Sequence, residues 1–393
     1  MTELESILCN EIDNDNDYIV SLRRYFHSHP ELSKEEYLTA EKIEKELDLL
    51  GISHKRVTKT GVYAEIVGEK PGKHVIVLRA DIDALPVKEE HETPYKSIYE
   101  GKSHACGHDC NTSCLLGAVR ALVKHKDLIK GKIIINFQPG EEIGYGARFF
   151  VDEGHIDEAD RSFGIHMSSR EKVGNVVCMA GPNNASVDYF HIHINGRCAH
   201  IASPEKGIDA LHIASQIVVE ERALFAQYPI DEVLIGIGKM SAGTQYNVIA
   251  GTADIEGSLR SMTHEMRKVM KNKIEEIAKR VAEEKGGSVE IEWKDFTSPL
   301  INDEQATLEA QETAASIFGE DRLIKHRKAD LSGDDFAEYI IKVPGHYAYI
   351  GSGNAEIPET CVAHHDTKFD VDERCLAIGA KMYACYAVNY LNK

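Results

Sequence analysis

The sequence has no excess of positive charge and no long hydrophobic run. Its 393 residues carry 64 acidic side chains against 45 lysines and arginines, and the formal net charge is -19. Nucleic acids and anionic membranes attract basic surfaces, so this balance argues against both as partners. No apolar run approaches the length that crosses a bilayer, and Met1–Asn10 lacks the basic segment and apolar core of a secretory signal.

The sequence also lacks a regular cysteine framework, internal repeats and a linker rich in proline or serine. Nine scattered cysteines, an odd number, predict reduced thiols and a cytoplasmic location. The length exceeds what one hydrophobic core usually holds, so two domains are expected.

Helical and strand patterns alternate from the start of the chain to about Gly181, which predicts a mainly parallel sheet covered by helices. Residues 187–293 differ, because about four strands and two helices there suggest a small α+β layer. Beyond about Pro299 the alternation resumes. The predicted fold is therefore an α/β domain, residues 1–183 and 298–393, with a small α+β domain, residues 184–297, inserted into it.

The segment Ser103–Asp109 contains a cysteine and a histidine around a glycine, just before a predicted helix. Cys106 and His108 stand two residues apart, and in extended chain both could face one metal ion. Alternatively, the thiol and the imidazole merely pack at the helix start. A third interpretation makes Cys106 a covalent nucleophile with His108 as its base, but it gives no role to the residues described next.

Two adjacent glutamates, Glu141 and Glu142, follow a buried strand. Carboxylates at the carboxyl end of a parallel strand lie where α/β folds place their sites. Since adjacent side chains diverge, one could bind a metal while the other faces the attacking water. The alternative is a solvated helix start, where acidic residues are favoured.

Further candidates stand near other predicted strand ends. His166 ends a strand, and at most one residue of the pair His364-His365 need be a ligand. A lone histidine in such a place is more often a hydrogen-bonded core residue. Asp81 and Asp83, after another strand, either cap a turn or orient a metal-binding histidine.

The order and content of these segments resemble one known family. The stretches RADIDALP, HACGHD, FQPGEE and GIH occur in the family's order, within a match that runs from His27–Ser33 to Phe369–Glu373. The sequence resembles the amidohydrolase branch of the aminoacylase-like metallopeptidases, which includes hippurate hydrolases, indole-acetyl-amino-acid hydrolases and N-acetyl-diaminopimelate deacetylases.

The resemblance implies a catalytic α/β domain with an inserted lid domain that makes a homodimer or a higher homo-oligomer. It implies two divalent ions per subunit, with the Cys106 thiolate between them and Glu141 as the general base. Zinc suits this ligand set best, although manganese, cobalt and nickel remain open. The implied metal ligands are Cys106, His108, Glu142, His166 and His365, the last chosen over His364 from its spacing to Phe369.

The resemblance also implies that three lid residues bind the substrate's carboxylate or the developing oxyanion. These are His200, which in related dimers reaches the neighbouring subunit's site, Asn247 and Arg260. A turn and a surface salt bridge are the alternatives for Asn247 and Arg260. Two departures from the family pattern, Asn111 and Gly140, lie near the site and bear on substrate preference.

Together these features predict metal-dependent hydrolysis of an amide bond in N-acyl amino acids or small peptides. A dipeptidase or broader peptidase on the same scaffold is the second interpretation. A non-catalytic metal-binding regulatory protein is the third, and Glu141 argues against it because a pure binder needs no base. Elsewhere, Asp334-Asp335 is expected to cap a helix.

Overall fold

Helices and strands alternate along the first and the last parts of the chain. The computed structural model describes all of residues 1–393. With elements numbered in chain order, the helices are α1 (Glu3–Asn14), α2 (Asn16–Ser28), α3 (Tyr37–Leu49), α4 (His108–Lys124), α5 (Gly146–Asp152), α6 (Ala210–Phe225), α7 (His264–Glu284), α8 (Glu304–Phe318), α9 (Phe336–Lys342) and α10 (Cys375–Leu391). The strands are β1 (His54–Val57), β2 (Gly61–Val67), β3 (Lys70–Asp81), β4 (Lys130–Gln138), β5 (Arg161–Lys172), β6 (Val176–Val177), β7 (Gly181–Asn184), β8 (Val187–Asn195), β9 (Val233–Ala242), β10 (Thr252–Ser261), β11 (Ser288–Thr297), β12 (Leu300–Asn302), β13 (Leu323–Ile324) and β14 (Gly345–Gly353).

The chain divides into two units. The first contains residues 1–181, 302–328 and 335–393, and the second contains residues 182–301 and 329–334. The sequence predicts the smaller domain at residues 184–297, without residues 329–334. No helix of either unit is both long and apolar enough to pass through a membrane.

An eight-stranded sheet, in the order β1-β2-β4-β3-β5-β14-β6-β13, forms the centre of the first unit. Strands β4, β3, β5 and β14 run parallel to one another, while β1 and β2 pair antiparallel with their neighbours. Strand β6 is antiparallel to β14 and parallel to β13. The middle strands are rich in isoleucine, valine and leucine because helices cover both faces of a parallel sheet. This arrangement confirms the predicted α/β class.

Helices α4 and α10 pack on the sheet and against each other, and most of their side chains are buried. The hydroxyl of Tyr383 in α10 donates a hydrogen bond of 2.6 Å to the backbone carbonyl of Arg79 in β3. This contact fixes the last helix against the strand that leads into the candidate site.

The second unit has an antiparallel four-stranded sheet, in the order β11-β8-β10-β9, and two helices, α6 and α7. Side chains of β8 alternate between buried and half-buried, as expected of a sheet covered on one face. Phe190, Ile192 and Ile194 point into a core shared with α6 and α7. Asp209 and Thr263 cap the two helices through their side-chain oxygens. The predicted small α+β layer is therefore present.

Candidate metal centre

The candidate site lies in the first unit, where three parallel strands bring polar residues to one edge of the sheet. β3 ends at Asp81, β4 ends at Gln138 shortly before Glu141, and β5 carries His166. Because β4, β3 and β5 are neighbours and parallel, their carboxyl ends lie side by side.

A left-handed glycine brings Cys106 and His108 together. Gly107 has a φ of 93°, a conformation that glycine adopts without strain, and His108 is the first residue of α4. The two side chains therefore converge through a tight turn into a helix. The expectation that they share one side of extended chain was wrong, because Gly107 is left-handed and His108 already belongs to α4.

Two groups of three potential ligands share one sulfur atom. The first contains Cys106, His108 and His166, and the second contains Cys106, Glu142 and His365, with all ligand atoms of a group within 4.8 Å of one another. The Cys106 Sγ lies 3.6 Å from His166 Nε2, and His365 Nε2 lies 3.3 Å from Glu142 Oε1. A cysteine common to two ligand sets is compatible with the binding of two adjacent ions.

The imidazole rings are oriented by their second nitrogen atoms. With Nδ1 as the donor, His108 bonds the backbone carbonyl of Asp83 at 2.9 Å, and His166 bonds the carbonyl of Met167 at 2.8 Å. Such bonds fix the tautomer that leaves Nε2 available for a metal. The buried atoms His108 Nε2 and Glu142 Oε1 have no hydrogen-bond partner, so the residues present fit divalent ions.

The donor set and its burial also favour a cation. Thiolate and imidazole groups with one carboxylate suit zinc, and manganese, cobalt or nickel are compatible with the nitrogen and oxygen donors. Burial raises the pKa of the Cys106 thiol well above its ordinary value, and the Glu142 carboxylate adds to this effect. Thiolate ligation at this position therefore depends on the positive charge of a metal ion.

Asp83 holds the turn that carries both glutamates. Its carboxylate accepts hydrogen bonds from the backbone N–H groups of Glu141 and Glu142, each 3.1 Å long, and from the Ser33 hydroxyl at 2.7 Å. Glu141 is largely buried, and its Oε2 lies 3.9 Å from His108 Nε2. The arrangement places Glu141 beside the ligand atoms, where a proton acceptor for an attacking water would be needed.

The two C-terminal histidines occupy different environments. His364 is half-buried, its Nδ1 lies 3.0 Å from the backbone carbonyl of Cys106, and desolvation lowers its pKa to about 3. His365 is half exposed and has a φ of 69°, a left-handed conformation that is uncommon outside glycine. Strain of this kind is often found at functional sites, and here it turns the imidazole toward Glu142.

Asp81 belongs to a buried charge network. Arg79 donates hydrogen bonds of 2.6 Å to Asp81 and of 2.6 Å to Asp335. Burial acts to raise the pKa of Asp81, but His108 and Arg79 lower it to about 2. Asn111, one of the two departures from the family pattern, donates to Asp81 at 2.8 Å and accepts from the backbone N–H of Met167 at 3.3 Å. It therefore links the ends of β3 and β5.

Sequence reasoning missed two supporting residues. Asp335 stands at the start of α9 but makes no side-chain cap there, because its carboxylate pairs with Arg79 and accepts from Gln138 at 2.8 Å. Glu36 accepts a hydrogen bond of 2.9 Å from the backbone N–H of Gly140, and burial, followed by the Asp83 charge, raises its pKa to about 7. The only sequence signal for Glu36 was its position three residues after the stretch that ends at Ser33.

The remaining predicted site residues, His200, Asn247 and Arg260, lie in the second unit. His200 is exposed, and an isolated β-bridge pairs it with Val248, next to the half-buried Asn247. Arg260 lies on β10, where burial lowers the pKa of its guanidinium, an effect that the Asp188 carboxylate opposes.

Comparison with known proteins places this arrangement in a family. A model described as peptidase family M20/M25/M40 matches residues 77–389, which include all the candidate metal ligands. The chain belongs to peptidase family M20/M25/M40. It is therefore a hydrolase, and the family confirms the resemblance identified from the sequence.

Relatives within the M20/M25/M40 family match almost the whole chain. An N-acetyl-L-cysteine deacetylase of Bacillus subtilis is 35% identical over 91% of this chain and 84% of its own length. Thermostable carboxypeptidase 2 of Saccharolobus solfataricus is 34% identical over 100% of both chains. The crystal structure of a dinuclear metal-binding peptidase of the M20 family from Bacillus subtilis has a TM-score of 0.85, with 32% identity over 97% of this chain and 99% of that one.

Proposed function

We propose that this hydrolase uses two divalent ions to hydrolyse the amide bond of N-acyl amino acids or small peptides. The single observation that carries the proposal is the pair of ligand groups that share the Cys106 sulfur. A deacetylase of N-acetyl-L-cysteine and a carboxypeptidase are among the relatives. In the reactions that both names describe, the amide nitrogen belongs to an amino acid, which defines the substrate class.

In the proposed centre, His108 and His166 would hold one ion, Glu142 and His365 would hold the other, and Cys106 would be a ligand in both sets. Bound there, two divalent ions would supply Lewis acidity and lower the pKa of a water molecule toward neutrality. Every other contribution comes from side chains of the protein.

Glu141 acts as the general base. Its carboxylate takes the proton of the water that attacks the amide carbon, and then gives it to the leaving amine. Asp83 positions Glu141 by holding the backbone of the turn, since its two bonds to successive N–H groups fix where both glutamates point. Loss of this support would misplace the base without removing it.

In the second unit, Arg260 and Asn247 bind the carboxylate of the substrate, and His200 stabilises the developing oxyanion in the site of a partner subunit. The half-buried guanidinium of Arg260 supports this role, because a desolvated cation binds a carboxylate more strongly than an exposed one. The exposure of His200 supports a role outside its own unit. The protein would then work as a homodimer or a higher homo-oligomer.

A dipeptidase or a broader peptidase is the second candidate, favoured by the carboxypeptidase relative. A non-catalytic metal-binding protein is disfavoured by the buried Glu141 beside the ligand atoms. A panel of N-acyl amino acids, dipeptides and longer peptides, assayed with zinc, manganese, cobalt or nickel and with a chelator, separates the candidates. We expect the highest kcat/KM on N-acyl amino acids and loss of turnover with chelator. Equal turnover with and without bound metal would contradict the proposal.

A further inference from the structure

A second cluster of histidine and carboxylate groups is buried in the first unit, apart from the candidate centre. It consists of His27 in α2 with Glu89 and His91, which lie in the long segment between β3 and α4. The three residues are 1%, 6% and 9% exposed, respectively, and their ligand atoms lie within 4.8 Å of one another. Ionisable groups this deeply buried require partners that balance their charge.

The distances within the cluster match those between the ligands of a metal. Glu89 Oε1 lies 3.3 Å from His27 Nε2 and 3.4 Å from His91 Nε2. Ligand atoms at zinc distances in a tetrahedron are separated by about 3.4 Å. The contact of Glu89 Oε1 with His27 Nε2 also meets the geometry of a long hydrogen bond, whereas its contact with His91 Nε2 does not.

The orientation of the two imidazoles also favours a metal ion as their partner. The other ring nitrogen of His27, Nδ1, lies 2.8 Å from the Asp109 carboxylate, an arrangement that directs Nε2 of metal-binding histidines toward the ion. Neither ring nitrogen of His91 has a hydrogen-bond partner, although the residue is buried. Its Nε2 lies 3.6 Å from Asp370 Oδ2, which lies beside the cluster and accepts a hydrogen bond of 2.8 Å from the Tyr95 hydroxyl.

The buried charges around the cluster are mainly negative, which favours the binding of a divalent cation. The buried carboxylates of Glu89, Asp109 and Asp370 surround the cluster, while the only buried arginine that pairs with them is Arg23, 2.9 Å from Asp109 and 2.6 Å from Asp370. Glu373, 3.4 Å from Arg23, is partly exposed and can be neutralised at the surface. With both imidazoles neutral, as metal ligation requires, the three carboxylates and Arg23 leave two negative charges, which a divalent ion would balance.

A comparable cluster in the second unit lacks these features. His191 and His193 both lie 2.8 Å from the same oxygen of Asp254, which is a normal hydrogen-bond distance. All three side chains are about one-third exposed. Direct hydrogen bonds explain this second cluster completely.

We propose that His27, Glu89 and His91 bind a third divalent ion, with zinc as the preferred metal. This ion is structural, because its three ligands are buried side chains that substrate does not reach. It ties residues 82–107, which contain no helix and only isolated β-bridges, to α2. Residues 82–107 end at the turn that carries Cys106, so the ion would also restrict the motion of the segment that leads into the hydrolytic centre.

The number of zinc ions bound per chain tests the proposal. Chelator-treated protein is dialysed against buffered free Zn²⁺, and bound zinc per chain is measured by elemental analysis. We expect His91→Gln and Glu89→Gln each to hold one zinc ion fewer than the wild type. His346→Gln is the matched control, because His346 is a fully buried histidine of β14 outside the cluster, and it should retain the wild-type count. Equal counts in the wild type and in folded His91→Gln would overturn the proposal.

Hydrogen exchange on the wild-type chain gives a second measurement that does not depend on a variant folding. Adding Zn²⁺ to the chelator-treated protein should slow amide exchange across residues 85–103, as well as around the hydrolytic centre. Protection confined to the hydrolytic centre would also overturn the proposal.

Discussion

Glu221 offers a test of how burial controls stability in the second unit. It lies in α6 with no exposed surface, and neither of its carboxyl oxygens has a hydrogen-bond partner. Burial raises the pKa of this carboxyl from an ordinary 4.5 to about 8. The folded protein therefore holds the proton over a pH range in which the unfolded chain releases it.

The sign of the effect follows from this difference. Below about pH 4.5 both states are protonated, so the carboxyl has no pH-dependent effect on stability. Between the two pKa values the unfolded state is favoured increasingly as the pH rises, and above about pH 8 the loss is complete. The interval between the two pKa values corresponds to on the order of 5 kcal/mol. Replacing Glu221 with glutamine removes the titration, so the variant should gain stability over the wild type as the pH rises.

Urea unfolding near pH 5, 7 and 9, followed by tryptophan fluorescence, measures this gain. Trp293 is the only tryptophan of the chain, and it lies on β11 in the same unit as Glu221. Glu220→Gln is the matched control, because its partly exposed carboxylate pairs with Arg280, and its loss should cost only about 0.2–1 kcal/mol. A Glu221→Gln effect that is the same near pH 5 and pH 9 would refute the reasoning.

Three further predictions concern the hydrolytic centre. His166→Ala and His365→Ala should each lower metal occupancy and turnover together, and elemental analysis showing full occupancy in both would contradict the ligand assignment. Asp83→Asn should lower kcat/KM by about 10- to 100-fold, because the turn of Glu141 and Glu142 loses a charged acceptor, and unchanged kinetics would contradict this. Light scattering should show at least a dimer, and a monomer with full activity would exclude a role of His200 in a partner's site.

The parts of the fold and site that follow local patterns could be predicted from the sequence. The parallel sheet was visible in the alternation of apolar strands with helices, and the antiparallel layer in the alternating side chains of β8. Cys106, His108 and the two glutamates stood out because they adjoin recognisable strand and helix boundaries. The family resemblance supplied their assignment to one site.

Contacts between distant parts of the chain could not be predicted in this way. Asp335 looks like a helix cap in sequence, and only the folded chain shows that Arg79, 256 residues away, binds its carboxylate. Glu36 is likewise 104 residues from the turn that it supports. The same holds for His27, whose neighbour His91 belongs to a segment without regular structure. Side-chain pairing over such separations depends on the tertiary fold and leaves no periodic signal.

The two glutamates provide the most direct test of the proposed mechanism. Turnover and bound metal are measured for Glu141→Gln and Glu142→Gln across a titration with a divalent ion. Glu141→Gln should keep its metal and lose about 100- to 10,000-fold in rate, because only the proton acceptor is removed. Glu142→Gln should bind metal more weakly, since an amide oxygen is a poorer ligand than a carboxylate, and excess metal should restore part of its activity. Rescue of Glu141→Gln by metal, with no rescue of Glu142→Gln, would contradict the account.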